Sequence, residues 1–258
     1  MKLALVTGAS MGIGAAIAKM FASKGFKVVL VSRSKEKLAG VCKDIEQAGG
    51  TGIVITCDTS KRREVVEMAA KVKKDVGIPD VVVNNAGCYY AQEFCDKDYD
   101  SWERMINLNI SGYLYVIGEF LPEMKERNTG HIVNISSDSE RIAFPGFAVY
   151  TGTKFFWAGA AESIRKELSG SKVKLTNVLP GGVYTEGLEK LLTDEKTNAV
   201  FKKFGYGEAS DILKGKEKLL KPEDVADTVW DCINKPSNVY VNDVMIRDAL
   251  QMEGIWNI

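Results

Sequence analysis

Short apolar runs alternate with longer amphipathic stretches from the first residues to about residue 180, and that alternation leaves few folds open. The apolar runs are Leu3 to Val6, Val28 to Val31, Gly52 to Ile55, Val81 to Val83, Ile132 to Ile135 and Val173 to Leu179. Between them, helical spacing predicts helices over Ile13 to Ala22, Lys35 to Ala48, Arg62 to Val76, Trp102 to Lys125 and Tyr150 to Leu168. Near-continuous apolar strands separated by helices describe a parallel sheet covered on both faces. Right-handed crossovers then give one α/β domain, a doubly wound, Rossmann-type sheet of about seven strands. The last strand is expected within Val239 to Ile246. It follows a helix opened by Pro222-Glu223-Asp224, where proline suits the first turn and acids suit its positive end.

The pattern loosens between Gly187 and Lys221, where Leu188, Leu191, Leu192, Phe201, Phe204 and Tyr206 stand among many lysines and glutamates. A stretch this long inside a compact domain is usually functional, so one or two short helices are expected there, forming a lid over a substrate. No repeat, low-complexity tract or linker divides the 258 residues.

The 34 basic and 34 acidic residues cancel, so neither nucleic acid nor an anionic membrane is an expected partner. No apolar run approaches the roughly 20 residues that span a bilayer. The opening MKLALVTGAS superficially resembles a signal peptide, but it runs into a glycine-rich loop and reads as a first strand, which predicts a cytoplasmic protein. Five scattered cysteines, none in a C-x-x-C pair, suggest reduced thiols and no zinc site. His131 is the only histidine, beside Gly130 at the entrance to an apolar strand; it reads as structural, which disfavours Ser-His-Asp chemistry.

Directly after the first strand comes Thr7-Gly8-Ala9-Ser10-Met11-Gly12-Ile13-Gly14. A turn this tight needs residues without a Cβ, and the next helix then presents free N–H groups and its positive end to phosphates. The end of the second strand reads Ser32-Arg33-Ser34, without the acid that usually holds a ribose 2′-hydroxyl. Small hydroxyls and a guanidinium suit a 2′-phosphate instead, so NADP(H) is the expected cofactor; a solvated basic turn is the plainer alternative. Tyr150 and Lys154 stand four residues apart, on one helix face. An ammonium near a phenol favours the phenolate and so is expected to lower the phenol pKa.

With these pieces in order, the chain resembles the short-chain dehydrogenase/reductase family over nearly its whole length. The resemblance rests on Thr7 to Gly14, Asp58, Asn84-Asn85-Ala86-Gly87, Asn109, Ser137, the Tyr150 and Lys154 pair, and Pro180-Gly181 followed by Thr185. It implies that Ser137 holds the substrate oxygen, with Ser136 the neighbouring candidate, and that Tyr150 exchanges the proton. It implies that Lys154 binds the nicotinamide ribose, and that Asn109 kinks its helix and holds a water relaying protons to Lys154. Gly8, Ser10, Gly12, Ile13 and Gly14 would cradle the cofactor, with Asp58 near the adenine and Asn85, Ala86 and Gly87 along the sheet edge. Pro180, Gly181, Val183 and Thr185 would hold the nicotinamide end. The motif set calls for no metal.

The implied reaction is hydride transfer between nicotinamide and a carbonyl or alcohol, with a homodimer or homotetramer as the family's usual assembly. The segment from Leu219 to Ala226 and that from Asn242 to Arg247 are similar to a branch acting on 3-hydroxy acids such as serine. Arg247 is followed by Asp248-Ala249 where that branch often continues Pro-Thr, and Ser139 to Phe147 also departs from it. The substrate therefore stays open. Phe94, Phe144, Phe147, Trp157 and Tyr184 are candidates to contact an apolar ligand, or else core. Two other readings are an epimerase or isomerase on the same fold and a non-catalytic NADP(H) sensor; retention of Ser137, Tyr150 and Lys154 counts against both.

Overall fold

The computed structural model describes residues 1–249. Its strands are β1 (Leu3–Thr7), β2 (Lys27–Ser32), β3 (Thr51–Thr56), β4 (Val81–Asn84), β5 (Gly130–Ile135), β6 (Val173–Pro180) and β7 (Asp243–Ile246). They form one seven-stranded sheet in the order β3-β2-β1-β4-β5-β6-β7, parallel throughout. Chain order reverses between β1 and β4, where Val6 lies opposite Leu30 on one side and Val83 on the other. That reversal opens a crevice beyond the carboxyl ends of the strands, the place where open α/β sheets bind ligands.

Helices α1 (Gly12–Ser23) and α2 (Lys35–Gln47) follow β1 and β2, and α3 (Arg62–Asp75) follows β3. Beyond β4 come α4 (Tyr99–Ile106) and α5 (Gly112–Glu126), then α6 (Ala148–Glu167) after β5. After β6 stand α7 (Glu186–Leu192), α8 (Glu195–Lys203) and α9 (Ala209–Lys214), and α10 (Pro222–Ile233) precedes β7. On one sheet face Ile17, Phe21, Leu38 and Val229 pack against Val6, Val28 and Leu30. On the other face Met68, Phe120 and Trp157 cover Leu5, Val29 and Ile132. Because both faces are buried, the strands read as unbroken apolar runs.

Three details depart from the sequence-based expectation. The single helix expected over 102–125 is two helices joined by a π-helical turn, Asn107–Ser111. The last strand begins only at Asp243, because the Tyr240 hydroxyl accepts the Leu175 N–H at 2.6 Å and so takes a donor of the β6 edge. The stretch over 187–221 holds three short α-helices and a 3₁₀ turn, more than the one or two helices expected. Their apolar sides form a third buried cluster, with Leu192, Val200, Phe201, Tyr206 and Ile212 among its members.

His131 is structural. It is buried, its Nε2 lies 2.8 Å from Thr176 Oγ1, and desolvation pushes its pKa down to about 3. The five cysteines are free thiols, and no group suited to a metal occurs among the described residues. Nor is any described helix long and apolar enough to cross a membrane.

Candidate active site

A cleft of about 510 Å³ lies where β1 and β4 diverge. Its floor is a turn that only glycine permits. Gly8 has φ of +65°, and a Cβ there would lie 2.7 Å from Asn85 Nδ2 and 2.9 Å from Ala86 Cα. A Cβ on Gly14 would fall 2.4 Å from the Gly8 carbonyl oxygen. Thr7 ties this turn to the next strand, its hydroxyl accepting the N–H of Asn85 at 2.9 Å and of Ala86 at 3.1 Å. Gly8, Ser10, Gly12 and Ile13 line the cleft, whereas Gly14 sits behind it and lets α1 approach β1. No side chain caps the first turn of α1, so its N–H groups are left for an anion.

The far end of the cleft is basic. Ser32, Arg33 and Ser34 line it as expected, and Asp58 lies beside them. Ser34 also caps α2, accepting the Lys37 N–H at 3.4 Å. Lys37, one turn into that helix, reaches the same cleft and pairs with Glu186 at 3.2 Å. Asn85, Ala86 and Gly87 form the opposite wall, and Thr185 closes the other end. A glycine cradle, an uncapped helix start and a basic pocket together fit a dinucleotide with an added phosphate.

A second cavity, about 190 Å³, adjoins the first, sharing Ile13, Tyr89 and Thr185 with it. Tyr150 and Ser137 open into it, together with Pro180, Gly181 and Val183. Ser137 ends β5, and its Oγ accepts the Ser139 N–H at 3.1 Å, which opens a 3₁₀ turn over Asp138–Glu140. The same side chain lies near the Tyr150 phenol, whose pKa it lowers, and 3.2 Å from Asp138 Oδ1. One turn along α6, Lys154 is buried, donating to the Ile135 carbonyl at 3.1 Å with its Nζ 5.6 Å from the Tyr150 ring centre.

The electrostatic outcome differs from the sequence-based expectation. Burial pushes the Tyr150 phenol above its ordinary value, and Ser137 only partly opposes that. Burial likewise pushes Lys154 down to about 8, against the attraction of Glu140. Removing water disfavours the charged form of both groups.

Asn109 lies in the π turn between α4 and α5. Its side chain donates to Cys88 O and Thr153 Oγ1 and accepts the Cys88 N–H, while its carbonyl accepts the Trp157 indole N–H at 2.8 Å. Asn109 thus fastens the loop after β4 to α6.

The family model for short chain dehydrogenases matches residues 2–196. The chain belongs to the short-chain dehydrogenase family. An uncharacterized oxidoreductase of Staphylococcus saprophyticus is 35% identical over 248 residues, covering 95% of this chain and 97% of the relative. Among solved structures, the closed form of a serine dehydrogenase complexed with NADP⁺ superposes with a TM-score of 0.80 at 32% identity, covering 95% and 94% of the two chains. An actinorhodin polyketide ketoreductase with NADPH gives 0.82 at 27% identity, covering 96% and 97%.

The sequence of this short-chain dehydrogenase did not single out four residues in and around the two cavities, Tyr89, Lys37, Asp138 and Glu140. Tyr89 stands between the two cavities with its ring 5.6 Å from that of Tyr150. Lys37 could have been found as the basic residue one turn after the Ser34 cap. Asp138 and Glu140 carried only the signal of two acids beside an apolar strand, and both are buried. Of the aromatic candidates, Phe144 and Phe147 line the substrate-side cavity; Trp157 is core, and exposed Phe94 stacks on Trp102. Tyr184 packs at the edge of the third cluster.

Proposed function

We propose that this chain is an NADP(H)-dependent oxidoreductase that interconverts a carbonyl and a secondary or primary alcohol. The observation that carries this reading is the pair of hydroxyls, Ser137 and Tyr150, opening together into a small cavity that adjoins the glycine-floored cleft. Gly8, Ser10, Gly12 and Ile13 would hold the pyrophosphate, Arg33, Lys37, Ser32 and Ser34 the 2′-phosphate, and Asp58 the adenine side. Asn85, Ala86, Gly87, Pro180, Gly181, Val183 and Thr185 would carry the nicotinamide half. When bound, the nicotinamide supplies or accepts the hydride.

Ser137 holds the substrate oxygen as negative charge grows on it. Tyr150 Oη gives that oxygen its proton during reduction and takes it back during oxidation. Lys154 binds the ribose and supplies positive charge below the phenol, and Asn109 keeps α6 in register with the loop after β4. The helices α7 to α9 act as the lid, with Leu188, Leu191, Leu192, Phe201 and Ile212 facing the substrate. Leu114 on α5 and Phe155 and Phe156 on α6 are exposed, which supports a homo-oligomer formed through that face.

The test is absorbance of reduced nicotinamide with purified protein, NADPH and a carbonyl panel. Tyr150→Phe is expected to lower turnover by about 10²–10⁴-fold, the usual contribution of a positioned proton donor, with NADPH affinity near that of the wild type. Undiminished turnover by that variant removes Tyr150 from the chemistry. NADPH binding with no turnover across a broad panel favours the sensor instead.

A further inference from the structure

The walls of the substrate-side cavity narrow the choice of substrate. Tyr89, Phe144, Phe147, Leu192, Phe201 and Ile212 make it a chiefly apolar chamber, and at about 190 Å³ it is smaller than sites for drug-sized ligands. Among the described residues that line it, Asp138 alone carries a formal charge. Its carboxylate sits one hydrogen bond from Ser137 and is ion-paired with Arg247 at 3.1 Å. Other cations nearby are committed elsewhere. Lys154 is buried against the Ile135 carbonyl, and Arg141 pairs with Asp243 at 2.9 Å. A carboxylate beside the reacting carbon would be stripped of water and placed near Asp138, and among the described residues the cations near it already have partners, a combination that buried charges tolerate poorly.

Resting on the oxidoreductase reading, we propose that the substrate is a small, uncharged, mainly apolar ketone, aldehyde or alcohol. In this proposal Asp138 is the specificity-determining residue that rejects an acid next to the reacting carbon. The polar side chains of the chamber are Ser136, Ser137, Asp138 and Ser139 at its floor and the hydroxyls of Tyr89, Tyr150 and Thr185 toward the nucleotide cleft, and the lid side is apolar. Burial raises the Asp138 carboxyl, and the Arg247 guanidinium 3.1 Å away opposes the rise.

The test is a matched pair: reduction by NADPH of ethyl acetoacetate and of acetoacetate, alongside oxidation of serine and of serine methyl ester by NADP⁺. The neutral member of each pair is expected to have a kcat/KM higher by about a hundredfold or more, the scale set by an unpaired buried charge. Asp138→Asn keeps the volume and removes the like charge beside Ser137. Whatever it does to absolute rates, it should narrow the neutral-to-acid ratio to about tenfold or less. Equal or better use of the acids by the wild type overturns the proposal. A wide ratio unchanged in Asp138→Asn overturns the assignment to Asp138. Turnover of acids alone refutes the chamber argument and leaves the oxidoreductase reading standing, whereas NADPH binding with turnover of nothing refutes both.

Discussion

The cofactor side of the crevice is shaped by backbone. Gly8 and Gly14 leave less than 3 Å for a Cβ, Thr7 Oγ1 stitches β1 to the residues after β4, and the first turn of α1 is left without a cap. The substrate side is shaped by side chains on short helices. Phe201 packs on Phe147 and Tyr206, with ring centres 6.0 Å and 5.3 Å away. The Tyr206 hydroxyl donates to the Pro145 carbonyl at 3.0 Å, and Lys203 pairs with Glu93. A backbone cradle recognises what every dinucleotide shares, its phosphates. A side-chain chamber recognises what differs between substrates, and it can change without disturbing the sheet.

The comparison breaks most sharply at Gly14. An alanine there would drive its Cβ to 2.4 Å from the Gly8 carbonyl oxygen and 2.5 Å from Asn85 Nδ2, which are hydrogen-bonded to each other where β1 and β4 end. NADPH affinity is expected to fall on the order of a hundredfold, the upper end of what overpacking costs. Fluorescence titration with NADPH and thermal melting check this. Full affinity in Gly14→Ala would mean that the cradle is softer than its geometry requires.

This division also explains what could be read without coordinates. The glycine loop, Asn85 to Gly87, and the Tyr150 and Lys154 spacing are local patterns, because backbone turns and i, i+4 faces are set by residues close in sequence. The chamber joins Phe144, Leu192, Phe201 and Ile212 from four separate segments, and no local period marks such a set. Charge was the hardest to foresee. Lys154 and Tyr150 were legible as a pair, yet their pKa directions follow from burial contributed by distant elements. The same holds for Asn109, whose carbonyl meets Trp157 only because the π turn releases it from the helix ladder.

A smaller effect sharpens the contrast within the cofactor side. Arg33 lines the basic end of the cleft, away from the cradle itself. Arg33→Ala is expected to weaken NADPH by roughly ten- to a hundredfold, the worth of a charge-assisted hydrogen bond, with little change for NADH. Lys37→Ala should act in the same sense but less, since Glu186 already neutralises part of its charge. Equal losses for both cofactors would mean that Arg33 supports the turn and does not read the phosphate.

The smallest ligand effect is expected where side chains alone build the wall. Phe201 is almost fully buried in the third apolar cluster, so Phe201→Ala leaves a cavity that α7 to α9 must absorb. Truncating a core phenylalanine costs about 3–5 kcal/mol, but here the loss falls on a local unit that can open while the sheet stays folded. Thr185 anchors the start of α7, accepting the Leu188 N–H at 3.1 Å, and keeps that end against the nucleotide cleft. Substrate KM should therefore rise roughly tenfold and limited proteolysis should cut first within residues 193–218, while NADPH affinity stays close to wild type. If NADPH binding weakened as much as substrate binding, the chamber and the cradle would be one cooperative structure, and the separation between them would be lost.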